Sequence, residues 1–314
     1  MRAFEIITED AKQKSIVIRQ LNKMPDDNPM FNEIYKDLIK SPLGTRITSF
    51  INARQDEDAI SAMQFLLKII PQSGTSKEVK EFMQSFAEPS KEYVNIKGLI
   101  PPGGMQSPAP LGDLVDDPFA KKLFDKLFGF KGKGDAGPGE AALAVLSPSI
   151  TYGAPGDIVV NGKKIEVKAS NNKGGAAGRI WDMPVHQPPM LKILEPLGIA
   201  SFSVMMGTNE FPGDDETKSA FIKAACEGWF GEERPEIEKA FGTDSFKNVW
   251  QAAVFDAYKA HAGWEGVLAV GLTSYQYVET GEQFAQYMGK KNQGNLCRAT
   301  EKQPRALAPQ ILIK

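Results

Sequence analysis

Cysteine is nearly missing from this chain. Its 314 residues include two, Cys226 and Cys297, and they lack CxxC spacing, which argues against a disulfide framework or a thiolate zinc site. Histidine is equally scarce, with His186 and His261 alone, and there is no GxSxG elbow. A histidine-dependent hydrolase therefore lacks its parts. No run approaches the roughly 18 uninterrupted apolar residues of a membrane span. The opening MRAFEIITEDAKQK carries acids where a secretory leader has its apolar stretch. The expectation is a reduced, cytoplasmic setting with no membrane partner. Neither sign of charge prevails: 37 basic residues stand against 39 acidic ones, a formal net charge of −2. The molecule as a whole is thus no polycation seeking nucleic acid. What is present, 42% hydrophobic and 24% charged residues, is the composition of a globular protein with one large domain or two modest ones.

The charge is unevenly placed. From Phe119 to Trp181 ten basic residues stand against five acids, and from Ser201 to Asn248 ten acids stand against five bases. The first stretch is suited to facing phosphates. Residues 1–97 read as a helical module. Asp56 is placed to cap a helix with Ile60, Met63, Leu67 and Ile70 on one face, ended by Pro71 and Gly74. Thr75 and Glu78 form a capping box ahead of a second stripe, Val79, Phe82, Met83 and Phe86. Gly98 to Pro118 then holds five prolines and four glycines, which break helix and strand alike and mark a linker or strap. Residues 119–314 alternate helical and strand patterns. A helix is expected over 118–128, a short one from Glu140, and a strong one after Asp244 with Phe246, Val249, Trp250, Ala253, Val254 and Ala257 on one face. Strands are expected over 266–271, 275–278 and 308–313, with Thr280 and Gln283 capping a helix between the last two. The fold class is α/β (α+β), with a mixed β-sheet core flanked by helices.

The glycine run from Gly129 to Glu140, five glycines in twelve residues, lacks both the GxxxxGK[ST] and the GxGxxG pattern. It reads as an approach to Glu140 in which Lys131 and Lys133 are placed to meet a phosphate. The chemistry concentrates further on, in APGDIVVNGKKIEVKAS, residues 154–170. Asn161-Gly162 is the favoured dipeptide of a two-residue hairpin turn. That turn sets Val160 opposite Lys163, Val159 opposite Lys164, Ile158 opposite Ile165 and Asp157 opposite Glu166. Alternation then puts Asp157, Glu166 and Lys168 on one face, the two carboxylates with Cβ atoms about 5 Å apart. Ile158, Ile165 and Val167 take the other face. Two such carboxylates repel unless a cation lies between them. A hard divalent ion with oxygen ligands suits them, and a neighbouring lysine can hold an attacking water and balance charge on a phosphorane.

Asp157 followed after eight residues by Glu166-Val167-Lys168, with Gly139-Glu140 upstream, resembles the signature of the PD-(D/E)XK nuclease superfamily, which includes restriction endonucleases and many repair and phage nucleases. The resemblance covers residues 137–179. It implies a restriction-endonuclease-like core and a Mg²⁺-dependent deoxyribonuclease, with Mn²⁺ able to substitute. It also implies that Asp157, Glu166 and the Val167 carbonyl bind metal, that Glu140 is a further metal or water ligand, and that Lys168 is the catalytic lysine. Lys173 and Arg179, in the polar segment after the hairpin, would join Lys131 and Lys133 in contacting DNA, here expected to be double-stranded. Trp181, His186 and His261 read as structural, and Gln187, which resembles the glutamine some branches of the family place downstream, is given no role. The competing reading is a non-cleaving nucleic-acid-binding or structural component, for instance of a phage particle, that keeps the nuclease fold. A homodimer or a phage assembly, in the host cytoplasm or the virion, are the expected contexts.

Overall fold

The computed structural model of the protein describes residues 46–47, 50, 57–88, 90–130, 139–152, 156–170, 176–179, 196, 214–288 and 310–313. The architecture is mixed α/β and divides into two compact units, one drawn from residues 1–100 and 110–171, the other from 101–109 and 172–314. Composition alone places the division elsewhere, at the proline-rich segment. In the structure the helices before that segment belong to the same unit as the 157–168 hairpin.

In the first unit, α1 (Glu57–Ile69) buries Met63 and Leu67 and leaves Ile60 half-buried. Asp56, its expected cap, lies outside the described residues. Pro71 turns the chain into a 3-10 turn over Ile70–Gln72. Helix α2 (Ser76–Phe86) begins with the expected capping box: the Thr75 hydroxyl accepts from the Glu78 N–H at 3.3 Å, and the Glu78 carboxylate accepts from the Thr75 N–H at 2.7 Å. Those bonds hold the Glu78 carboxyl below its usual range. Its buried residues are Val79, Phe82, Met83 and Phe86, the expected stripe. A short helix, α3 (Ile96–Leu99), leads to α4 (Pro118–Phe128), where Asp117 caps the Ala120 N–H at 2.7 Å and Pro118 supplies a preset first turn. The Phe82 ring packs 4.8 Å from Phe119 and 5.1 Å from Tyr93.

Arg46 closes the end of α2 in a way the sequence does not advertise. Its Nη1 donates to the carbonyls of Phe86, Glu88 and Lys91 at 3.2, 3.3 and 2.9 Å, and the guanidinium lies 4.0 Å over the Phe86 ring. One guanidinium nitrogen thus gathers three carbonyls at and just beyond the end of the helix, where the last turn leaves carbonyls without intrahelical partners. Burial pushes the Arg46 pKa down to about 10.

Helix α5 (Glu140–Leu146) is buried along its whole length and packs against α4, α1 and the strand that follows it. Strands β1 (Ile150–Tyr152), β2 (Ile158–Val160) and β3 (Lys163–Ala169) form an antiparallel meander. Ile158, Val160, Ile165 and Val167 are buried. At about 1.5–3 kcal/mol per fully buried side chain, this apolar face holds the register.

In the second unit, β4 (Ala176–Arg179) pairs with a strand at Gln310–Leu312. Two helices that the sequence reading missed, α6 (Asp215–Phe230) and α7 (Pro235–Ala240), precede α8 (Phe246–Ala262). They enclose an apolar cluster that includes Phe221, Trp229, Phe241 and Trp250, with the two tryptophans edge to face at 5.3 Å. Cys226 is buried in this cluster, and burial pushes its thiol up to about 12, so it is no reactive nucleophile. Strands β5 (Gly266–Val270) and β6 (Ser274–Val278) form an antiparallel hairpin with Val267 opposite Val278. A short helix α9 (Gly281–Gln283), capped by Thr280, runs into a π-turn over Phe284–Met288. The final strand, β7 (Gln310–Leu312), completes the unit. Within the proline-rich segment, the Met105 N–H donates to the Tyr277 carbonyl at 2.8 Å and the Gln283 amide donates to the Gly103 carbonyl. Residues 101–109 thereby lie against β6 and α9. Among the described residues no helix is long and apolar enough to cross a membrane.

Candidate active site

The turn between β2 and β3 is built as its residues require. Asn161 and Gly162 have φ of 51° and 81°, the two positive values of a type I′ turn. Val160 pairs with Lys163, Val159 with Lys164 and Ile158 with Ile165.

The ladder of paired residues stops there, one step short of the expected Asp157–Glu166 pair. Gly156, at φ 90°, lies so close to β3 that a Cβ on it would meet the Ile165 carbonyl oxygen at 3.0 Å. Only glycine permits that approach. The chain bends there and Asp157 leaves the regular ladder. Its N–H donates to the Ile165 carbonyl at 3.0 Å, while its Oδ2 accepts from the Val167 N–H at 2.7 Å. Asp157 thus bonds to the residues on both sides of Glu166. The two acids are neighbours, as expected, but through a clasp rather than a cross-strand pair. Asp157 is also tied directly to Val167, whose carbonyl the resemblance nominates as a ligand.

Glu166 and Lys168 share one face of β3 and form an ion pair of 2.5 Å, with side-chain exposures of 9% for Glu166 and 22% for Lys168. A fully solvated hairpin would leave both in water, whereas here the Glu166 carboxylate is largely buried. The second acid follows the same trend. Among the described residues two acidic side chains are buried, Glu140 and Glu166, and both belong to the nominated set. Glu140 opens α5, where the positive end of the helix favours a carboxylate. A Cβ on the preceding Gly139 would sit 3.4 Å from the Ala169 Cβ, so the start of α5 lies against the end of β3 that carries Lys168.

These groups offer a cation only oxygen. Among the described residues no group of three His, Cys, Asp or Glu side chains is gathered closely enough to hold a metal ion unaided. Mg²⁺ needs less than that: it is commonly held by one or two carboxylates, with water and substrate phosphate completing its shell. Asp157, Glu166 and the Val167 carbonyl fit such a partial set, with Glu140 near the Lys168 end of the strand.

The nominated phosphate contacts fare differently. Lys131, Lys133 and Lys173 lie outside the described residues, as do Trp181, His186, Gln187 and Cys297. Arg179 ends β4 in the second unit, opposite Gln310. His261 is exposed in the last turn of α8. One cation the sequence reading passed over is Lys164. It is exposed, and alternation along β3 puts it on the face of Glu166 and Lys168. Its cross-strand neighbour Val159 is half-buried, and Thr151 beyond it is exposed. The signal was present as Lys-x-Glu-x-Lys, every second residue of one strand. No protein-family model, no curated protein and no solved structure matches this chain, so the site stands on its own geometry.

Proposed function

We propose that the protein is a metal-dependent endonuclease that hydrolyses DNA phosphodiester bonds at the Asp157, Glu166 and Lys168 face of the β2–β3 hairpin, with Glu140 as an additional acid. The observation that carries this reading is the burial of Glu140 and Glu166. Carboxylates are costly to remove from water, and a hairpin kept for stability alone has no need of one.

Asp157 and Glu166 would hold the cation, Mg²⁺ or Mn²⁺, with the Val167 carbonyl as a further oxygen ligand. The bound cation supplies a lowered pKa for water and a counter-charge for phosphate oxygens. Lys168 steadies the attacking water and offsets negative charge building on phosphorus. The water oxygen bonds to phosphorus as one ester P–O bond breaks; the water gives its proton to solvent, and the departing alkoxide takes one up. Lys164, Lys131 and Lys133 neutralise backbone phosphates, contacts that orient the substrate without reading its sequence. The setting that goes with this reading is the host cytoplasm or a virion, as a homodimer or within a phage assembly.

A second reading is favoured by the Lys168–Glu166 ion pair, which already neutralises one of the two acids: a DNA-binding or structural component that keeps the fold without cutting. Incubating supercoiled plasmid with the full chain, in Mg²⁺ and separately in EDTA, separates the two. Nicked or linear product in Mg²⁺ alone is the expected result. Retarded but intact plasmid in both would favour the second reading.

A further inference from the structure

Glu166 and Lys168 meet at close range where the carboxylate is largely removed from water. They lie two residues apart on one strand face, with the ammonium 2.5 Å from Oε1 and the carboxylate side chain 9% exposed. A carboxylate so far out of water requires a counter-charge, and the lysine provides one. A divalent ion at the same carboxylate provides another, and at that range in a poorly solvated site the ammonium and the ion repel strongly. Lys168 has somewhere to go: its side chain is 22% exposed, and its flexible stem lets the ammonium swing outward.

We propose that Lys168 serves as the resident counter-cation of Glu166, so that a divalent ion binds by displacing the ammonium and thereby delivers the lysine to the phosphate. The inference rests on the reading of Glu166 as a metal ligand and adds what regulates that site. Lys168 lowers the affinity for metal and couples ion arrival to its own release. Without metal, the pair keeps Glu166 neutralised and the lysine unavailable to substrate. With metal, one event creates the ion site and frees the cationic group that faces the substrate. Removing the charge of Lys168 should therefore strengthen metal binding while removing the lysine's part in hydrolysis.

The test needs no DNA. Free Mn²⁺ is titrated by electron paramagnetic resonance against the full chain at fixed pH and ionic strength, for the unaltered protein, Lys168→Gln and Lys168→Arg. Lys168→Gln, which keeps a hydrogen-bond donor without the charge, is expected to bind Mn²⁺ about tenfold or more tightly than the unaltered protein, and Lys168→Arg within about twofold of it. Combining Lys168→Gln with Glu166→Gln should abolish the gain. A second measurement uses the unaltered chain: acylation of Lys168, followed by mass spectrometry, should speed up severalfold when Mn²⁺ is added. Equal or weaker Mn²⁺ binding by Lys168→Gln, or an unchanged acylation rate in protein shown to bind Mn²⁺, overturns the displacement and leaves the metal site standing. A gain that survives Glu166→Gln overturns it as well, because the ion then binds elsewhere. Absence of Mn²⁺ binding in every form overturns the metal-site reading and this inference together.

Discussion

Each unit contains an antiparallel hairpin, and the two are built for different ends. In β5–β6 every residue from Gly266 to Val270 is buried, as are Tyr275, Gln276, Tyr277 and Val278. The polar groups buried there are neutral: the Gln276 amide donates to the Met105 carbonyl, and burial holds the Tyr277 phenol far above its ordinary pKa. In β2–β3 one face is equally apolar, but the other carries the Glu166–Lys168 ion pair and the Asp157 clasp. Replacing a buried ion pair by apolar groups is often neutral or stabilising, so folding gives no reason to retain this one. Identical secondary structure thus supports a core in one unit and a charged face in the other, and the difference lies in what occupies every second position.

The comparison can be broken by moving activity and stability separately. Asp157→Asn should abolish plasmid nicking and weaken Mg²⁺ binding, because the charge that would hold the cation is lost. Its melting temperature should stay close to that of the unaltered protein, because the amide oxygen can still accept from the Val167 N–H. Cleavage at the unaltered rate would remove Asp157 from the site. In the other hairpin, Leu268→Ala truncates a fully buried side chain and should cost about 2–5 kcal/mol by urea titration. A loss well under 1 kcal/mol would show that β5 is not the core strand described.

A subtler change sharpens the comparison within β2–β3. One glycine inserted between Gly162 and Lys163 must bulge the turn or slip the register. A slip would bury Glu166 and Lys168 in the apolar layer and expose Ile165 and Val167. Burying unpaired charge costs several kcal/mol, a large share of a domain's total of about 5–15 kcal/mol, so the bulge should win. The mutant should fold, melt somewhat lower and lose much of its nicking activity, whereas Asn161→Asp, which suits the same turn, should keep both. The reverse order would sink the hairpin assignment. The smallest effect belongs to Lys164→Gln. Its affinity for a duplex should fall modestly, and the slope of log K against log salt should become shallower by about one. An unchanged slope would return Lys164 to the solvated surface.

Much of this was legible along the chain, because local rules act over a few residues. The Thr75–Glu78 box, Pro118 opening α4, Asn161-Gly162 and the Val79-Phe82-Met83-Phe86 stripe all express short-range sterics and hydrogen bonding, and they appear where those rules put them. Even α6 had a visible signal in Asp214 and the spacing of Phe221, Ile222, Ala225, Cys226 and Trp229. The surrounding acidic residues obscured it.

The sequence by itself determined the helices at 57–69, 76–86, 118–128 and 246–262, the turn, the register of β2 on β3, and the shared face of Glu166 and Lys168, since alternation follows from the pleat alone. Only the tertiary structure decided that the Glu166 carboxylate is withdrawn from water, that the N-terminal helices belong to the unit of the hairpin, that residues 101–109 lie along β6, and that Arg46 ends α2. It also decided that Gly156 bends the chain so that Asp157 clasps Val167 instead of pairing across the strand. Those outcomes depend on which distant surfaces meet, and burial and close backbone approach are properties of the packed chain that no single window of residues contains.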